Sequence, residues 1–210
     1  MERLPRGATL LELNRDTLLQ KFQLHLPVGY HAESLGRVAH LNPTQLRKAA
    51  VLVGFVERSH GLNVILTKRA SHLKHHPGQI SFPGGKFEPD DSSLVATALR
   101  ETFEEVGIAP SQISVFGQMP ELVTVSRYKV TPILAFVAAD YQTRIDRNEV
   151  EEVFEVPVRH LLDRQQLRSA KFRVNQSHHR VFAIPYQHHF IWGMTAQIIH
   201  AMQQQLVKLS

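Results

Sequence analysis

The 210-residue chain contains no cysteine, which excludes disulfide bonds, thiolate zinc sites and cysteine nucleophiles. Any metal site must therefore use oxygen or imidazole ligands. The sequence also lacks an apolar run close to the roughly 20 residues that cross a bilayer. Charges interrupt its first residues, which is unlike a secretory signal. We expect a cytoplasmic protein with no membrane partner.

No internal repeat, low-complexity tract or flexible linker divides the chain. Hydrophobic residues make up 43% and charged residues 20%, as in an ordinary globular domain with one core. The net charge of +5 favours anionic ligands without choosing among nucleic acids, nucleotides and phosphorylated metabolites. Because the sequence has no helix-turn-helix, aromatic RNA platform or basic run, we do not expect a nucleic-acid partner.

Predicted strands and helices follow one another in an uneven order. Apolar positions between Thr9 and Leu26 predict one or two short helices, in an N-terminal extension of residues 1–45 packed on a domain of residues 46–210. The pattern favours an α/β fold, α+β in some conventions, with a mixed sheet covered by helices. The predicted strands are Ala49–Glu57 and Leu62–Arg69, which form a hairpin, and Ile113–Gly117, Val130–Ala138, Val153–Val156, Val181–Ile184 and His189–Trp192. A closing helix is predicted from Thr195 to Val207.

The clearest helix is predicted from Ser92 to Val106. Asp91 occupies the expected N-cap position, and Gly107 occupies the expected left-handed position after the last turn. An apolar side that includes Leu99 and Phe103 is predicted to be buried, because these residues lie roughly opposite the acidic ones.

Three glutamates of this helix, Glu101, Glu104 and Glu105, share one face, since residues three and four apart are neighbours on a helix. Carboxylates this close repel one another unless a cation lies among them. Oxygen ligands suit Mg²⁺ or Mn²⁺, and those ions suit phosphorylated substrates. An isolated cluster of this kind is more often a solvated surface. The preceding Gly84 and Gly85 argue for a site, because paired glycines let the backbone approach a ligand closely.

The segment from Gly84 to Ile108 resembles the signature of the Nudix hydrolases, which has a glycine, an acidic residue, an Arg-Glu pair, a Glu-Glu pair and a final glycine. The Arg-Glu pair comes one residue later than in the general signature, and Asp91 occupies the acidic position. This longer spacing is similar to that of the coenzyme A diphosphatase subgroup. The matching residues are Gly84, Gly85, Glu88, Asp91, Ser93, Thr97, Ala98, Leu99, Arg100, Glu101, Glu104 and Glu105.

Further segments also look like this subgroup, so that the resemblance covers most of the chain after about residue 45. An upstream element contains Leu66, Thr67, Arg69, Lys74, Gly78 and Phe82 to Gly85, and later segments are Tyr128 to Pro132, Glu149 to Pro157 and Trp192 to Ala196. Lys74 replaces a more usual arginine, which keeps the charge but removes bidentate phosphate contact.

The resemblance implies the Nudix α/β/α sandwich and a metal-dependent hydrolase. It would cleave the diphosphate bond of coenzyme A or its acyl derivatives to give 3′,5′-ADP and (acyl-)4′-phosphopantetheine. Glu101 and Glu105 would be the principal ligands of Mg²⁺ or Mn²⁺, with Glu104 sharing the ions and the Gly85 carbonyl contributing. Arg100 would orient one of the glutamates through an ion pair.

The resemblance does not assign the general base or the residues that contact the substrate. Glu149 and Glu101 are the candidates for the base. Substrate-binding residues would be Gly84, Gly85 and the cations Arg69, Lys74, Arg127 and Lys129, although for any one of these cations an ordinary surface charge is the favoured interpretation. Alternatives are a diphosphatase for ADP-ribose or a dinucleotide, and a nucleotide-binding module without catalysis. A homodimer is a further expectation from the resemblance.

Histidines occur in groups that could suggest zinc. They are His72, His75 and His76, and the pairs His178–His179 and His188–His189. Without an accompanying motif, the favoured interpretation is that they cap, pack or line the substrate cleft rather than bind a metal.

Overall fold

The computed structural model describes residues 13–174 and 177–206, which form two sheets and flanking helices. The helices are α1 (Arg15–Leu24), α2 (Ala32–Leu35), α3 (Leu94–Val106), α4 (Val158–Leu162) and α5 (Met194–Leu206). The strands are β1 (Arg47–Arg58), β2 (Gly61–Arg69), β3 (Ile80–Ser81), β4 (Gly84–Lys86), β5 (Ile113–Gln118), β6 (Leu122–Val123), β7 (Tyr128–Val137), β8 (Val150–Pro157), β9 (Arg168–Val174), β10 (Ser177–Tyr186) and β11 (His189–Trp192).

The main sheet is mixed and has β1 at its centre. Its order is β3-β2-β1-β7-β5, with β4 paired to β1, β6 to β7 and β8 to β2. β1 and β7 are parallel, whereas the other pairs are antiparallel. The run from Ala49 to Val56 is buried on both faces, as its continuous apolar sequence requires of a central strand. The predicted β1–β2 hairpin is confirmed.

Helices cover both faces of this sheet. On one face, Ala98 of α3 packs with Ala50, Leu52, Ile133 and Ala135. On the other face, α1, α4 and α5 contribute the apolar side chains of Leu18, Leu161, Leu162, Ile198, Ile199 and Met202. This three-layer arrangement confirms the predicted α/β class with a mixed sheet.

A second, three-stranded sheet has the order β11-β10-β9. Prediction missed β9 and the short strands β3, β4 and β6. The N-terminal prediction is represented by α1, while residues 9–12 lie outside the described residues, and the division at residue 45 stays a prediction. Among the residues described, no helix combines the length and the apolar content needed to cross a bilayer.

Two details of the predicted helix were wrong. Ser93, not Asp91, caps α3, because its side chain accepts a hydrogen bond from the Ala96 N–H at 3.1 Å. Phe103 is 48% exposed. The buried stripe instead follows Ala98, Thr102 and Val106, and Phe103 is turned about 100° from Thr102 around the helix axis.

Gly107 ends α3 in the left-handed conformation, with φ of 78°, and a Cβ there would lie 2.7 Å from the Arg144 nitrogen. We expect Gly107→Ala to lower the free energy of unfolding by about 1–2 kcal/mol or more, because it combines backbone strain with this clash. Urea denaturation measures the change. Gly29→Ala is the matched control, since nothing lies within 4 Å of its added Cβ. Equal stability of the two variants would contradict the prediction.

Candidate active site

The glycine pair of β4 lies directly beneath two carboxylates of α3. β4 pairs with β1, where Ala50 is opposite Gly85, and this pairing fixes the glycines against the central strand. The Gly84 N–H donates to Glu105 Oε2 at 3.1 Å. A methyl group at Gly85 would overlap the Glu101 carboxylate. At Gly84 a Cβ would overlap the Ala50 backbone oxygen of β1, so this position requires glycine.

Glu105 is the most buried of these carboxylates, at 4% exposure. Burial raises its pKa to about 8, and the charges of Glu101 and Glu149 act in the same direction. The Gly84 N–H and the Arg69 charge oppose this rise, but Arg69 Nη1 is 4.0 Å from Glu105 Oε1. The ionised carboxylate is therefore only partly compensated by the protein.

Glu101 and Glu104 differ in their environments. The Glu101 side chain is 15% exposed, and its pKa is raised, mainly by burial, while the adjacent Arg100 lowers it. The Glu104 side chain is 56% exposed and lies 3.0 Å from Arg100 Nη1. The exposure of the three carboxylates therefore increases from Glu105 through Glu101 to Glu104.

Arg100 connects α3 to the loop before it. Its guanidinium donates to both oxygens of Asp91, at 2.9 and 3.0 Å, and to the Lys86 carbonyl at 3.0 Å. The same group lies 3.2 Å from Glu101 Oε1 as well as beside Glu104. Hydrogen bonds from Arg100 are the main reason why the pKa of Asp91 is lowered, despite some desolvation.

Asp91 is the site residue that prediction misassigned. Its carboxylate also accepts from the Glu88 N–H at 2.9 Å and from Thr97 Oγ1 at 2.9 Å, so it organises the loop and holds Arg100. The acidic position of the family signature was the signal that could have assigned this role. Glu149 is exposed immediately before β8, and its charge contributes to raising the pKa of Glu101 and Glu105.

The four candidate substrate cations differ in exposure and in their partners. Arg69 is the one that has an ion pair with a carboxylate of α3 among the described residues. Lys74 is exposed between β2 and β3, and Arg127 is exposed between β6 and β7. Lys129 Nζ pairs with Glu121 Oε2 at 2.9 Å.

The carboxylate set fits a divalent cation in its chemistry. Glu105 is buried with a single N–H donor, and the nearby Glu101 and Glu149 add negative charge, which is the situation that a hard cation relieves. The three α3 carboxylates are not a closed ligand set, because Glu104 is turned toward Arg100. In the part of the chain that the structure describes, the one group whose possible ligand atoms all lie within 4.8 Å is Glu152, His188 and His189.

The remaining histidines of the predicted groups are His72, His75, His76, His178 and His179. His72 Nε2 lies 3.1 Å from the Asn148 carbonyl, and His75 and His76 are exposed. The side chains of His178 and His179 lie outside the described residues.

Comparison with solved structures gives Nudix proteins that match a little over half of this chain. RenU, a Nudix hydrolase from M. smegmatis, has a TM-score of 0.47 at 21% identity over 56% of this chain and 74% of its own. A C. elegans Ap4A hydrolase binary complex has a TM-score of 0.46 at 20% identity over 52% and 80%. The NUDIX domain of Shewanella oneidensis NrtR, complexed with ADP ribose, has a TM-score of 0.43 at 22% identity. The match covers 59% of this chain and 82% of that domain.

Sequence comparison covers nearly the whole chain. The NUDIX domain model matches residues 46–179. An uncharacterized Nudix hydrolase, NudL, of Enterobacter sp. (strain 638) is 37% identical over 195 residues, which are 93% of this chain and 96% of the relative. NudL of Yersinia pestis (strain Pestoides F) is 39% identical over 188 residues, 90% and 92% of the two chains. Together with the carboxylates beside the glycine pair, these matches show that the chain belongs to the Nudix family of hydrolases, which act on phosphorus-containing acid anhydrides.

Proposed function

We propose that this Nudix hydrolase cleaves the diphosphate bond of coenzyme A or its acyl derivatives, releasing 3′,5′-ADP and (acyl-)4′-phosphopantetheine. The observation that carries the proposal is the Asp91–Arg100 contact. The spacing from Asp91 to Arg100 is the one that resembles the coenzyme A diphosphatase subgroup. With this spacing the Asp91 carboxylate contacts the Arg100 guanidinium, which also lies beside Glu101.

Glu101 and Glu105 would hold Mg²⁺ or Mn²⁺, with Glu104 and the Gly85 carbonyl as further ligands. A divalent ion bound there lowers the pKa of a coordinated water and neutralises charge on phosphoryl oxygens. The protein contributes the arrangement of its own groups. Gly84 fixes Glu105 through its N–H, and Arg100 fixes the side of Glu101 that faces the loop.

Glu101 and Glu149 remain the two proposals for the general base. Glu101 has a pKa raised by burial, which brings it nearer to the operating pH, where a base is most effective. Glu149 is exposed, and its charge acts on both Glu101 and Glu105, which supports a position beside the proposed metal ligands. A comparison of the pH–rate profiles of Glu101→Gln and Glu149→Gln separates the two roles.

The sheet topology supports a site for a large anionic substrate. β2 runs antiparallel to β1, and β7 runs parallel to it, so the end of β2 and the beginnings of β1 and β7 meet at one edge. Arg69 is the last residue of β2 and Lys74 follows it, while Arg127 immediately precedes β7 and Lys129 is its second residue. The proposed substrate cations therefore border the edge at which Gly84 and Gly85 pair with β1, at separate positions suited to separate phosphates.

Several expectations stay predictions beside this proposal. ADP-ribose or a dinucleotide is the alternative substrate, and a nucleotide-binding module without catalysis is the alternative outside the enzymes. Cytoplasmic localisation and a homodimer are likewise predictions.

A substrate screen tests the proposal directly. We expect coenzyme A, incubated with Mg²⁺ or Mn²⁺, to give 3′,5′-ADP and 4′-phosphopantetheine faster than ADP-ribose or a dinucleotide is cleaved. Glu105→Gln should lower kcat/KM at least about a hundredfold, because it removes a metal ligand. Glu57→Gln, an exposed glutamate at the far end of β1, is the control. Preference for ADP-ribose would reject the substrate, and near-normal turnover by Glu105→Gln would reject the site.

Asp91→Asn tests the loop contact. We expect kcat/KM to fall about ten- to a hundredfold, as when a group that orients a metal ligand is removed, because Arg100 loses its anionic partner. Steady-state kinetics measure the change. Asp90→Asn is a matched control, since Asp90 is the exposed neighbouring residue. If both variants keep normal activity, Asp91 has no positioning role.

The raised pKa of Glu105 predicts the pH response of the metal-free protein. Between the ordinary value of 4.5 and the folded value of about 8, the folded protein keeps this proton and the unfolded chain loses it. The free energy of unfolding should therefore fall as the pH rises through this window, by at most about 1.4 kcal/mol per pH unit from this group. Glu105→Gln should flatten the profile. Urea denaturation in EDTA measures both proteins, and parallel profiles would contradict the prediction.

A further inference from the structure

A second group of possible metal ligands lies away from α3. Glu152 is on β8, His188 is in the turn between β10 and β11, and His189 is the first residue of β11. One ligand atom from each residue lies within 4.8 Å of the other two. We call these three residues the Glu-His-His group.

The group is on the opposite face of β8 from the carboxylates of α3. Successive side chains of a strand point to opposite faces, so Glu152 shares a face with Phe154, and Val153 points the other way. Phe154 packs against the core that contains α5. Val153 packs with Val106 of α3. The Glu-His-His group is thus separate from the proposed active site.

The surrounding structure holds the buried histidine in place. His189 is 6% exposed, and its ring stacks on Phe154, with centroids 3.9 Å apart and planes 13° from parallel. Its backbone position is fixed by the hairpin, where it pairs with Tyr186. His188 is exposed, and its ring centroid lies 3.9 Å from that of His189. One ligand is therefore rigid, and its neighbour is accessible to an incoming ion.

The separation of the ligand atoms suits coordination. His189 Nε2 and Glu152 Oε1 are 3.5 Å apart, which is long for a hydrogen bond. Two ligands of a tetrahedral ion, with bonds of about 2.1 Å, are separated by about 3.4 Å. The pair is close to the spacing that a shared metal requires.

We propose that Glu152, His188 and His189 bind a divalent transition metal, of which Zn²⁺ best matches the ligands. Two imidazoles and one carboxylate are a known type of ligand set for zinc and leave a fourth position for water. The bound ion would tie β8 of the main sheet to the β10–β11 hairpin of the second sheet. Lys68 lies near the group, and its charge opposes metal binding, but its ammonium group is paired with Glu151 at 2.6 Å.

Zinc titration of the metal-free, full-length protein tests this site. The titration is followed by calorimetry on the Glu105→Gln protein, because this substitution suppresses metal binding that depends on the Glu105 carboxylate. We expect the Glu105→Gln protein to bind one equivalent of Zn²⁺. His188→Ala and Glu152→Gln should abolish this binding or lower its affinity at least about tenfold, because each removes a ligand. His60→Ala is the matched control, because His60 is an exposed histidine in the turn between β1 and β2. His188 and Glu152 are both accessible, so their replacement should leave the fold intact, which circular dichroism checks.

Cobalt and thermal unfolding give independent readouts in the same background. Co²⁺ should produce the visible absorption of a four-coordinate ion, and His188→Ala should abolish it. Zinc at about 100 times Kd should raise Tm by about 5–10 °C, and this rise should be lost in both ligand variants. If the Glu105→Gln protein binds no zinc, or if His188→Ala and Glu152→Gln bind it as His60→Ala does, the proposal is overturned.

Discussion

The close packing of the glycine pair of β4 between β1 and the carboxylates of α3 is the constraint on which the site depends. A Cβ at Gly84 would overlap the β1 backbone at Ala50 and Val51, and a Cβ at Gly85 would overlap the Glu101 carboxylate of α3. This approach buries Glu105 and gives it one N–H donor. Burial and proximity to Glu101 then disfavour the ionised form, so the ionised carboxylate requires positive charge from outside the chain.

The protein places its own cations where they leave that requirement unmet. Arg100 is the guanidinium nearest to the carboxylates of α3, yet its shortest ion pair is with Asp91. Hydrogen bonds from Arg100 lower the pKa of Asp91, whereas burial raises the pKa values of Glu101 and Glu105. The loop carboxylate thus holds Arg100 in a fixed position and limits how far it can neutralise the glutamates, which remain available to a metal ion.

Long elements with a strong hydrophobic pattern were predictable from the sequence, and contacts distant along the chain were not. The patterns of β1, β2, β7, α3 and α5 indicated each of them, because every one buries a continuous stripe or run. β3, β4 and β6 have two or three residues, too few to show a period. Ser93 and Asp91 are equally good capping residues, so only the Arg100 contact distinguishes their roles. The approach of Glu152 to His189 joins β8 to β11, which begins more than 30 residues after β8 ends.

The two ligand groups differ in their content of carboxylate and imidazole, and this difference gives them different metal preferences. With no thiolate available, the chain can select ions only by balancing carboxylate against imidazole. The proposed α3 site would offer carboxylate and backbone oxygens at the edge that the proposed substrate cations border, and such ligands favour a hard ion that also binds phosphate. The Glu-His-His group offers two nitrogens on the opposite face of β8, where a hard ion would be held poorly. Because the two groups share no ligand, occupation of the second by zinc would leave the carboxylates of α3 free for Mg²⁺ or Mn²⁺.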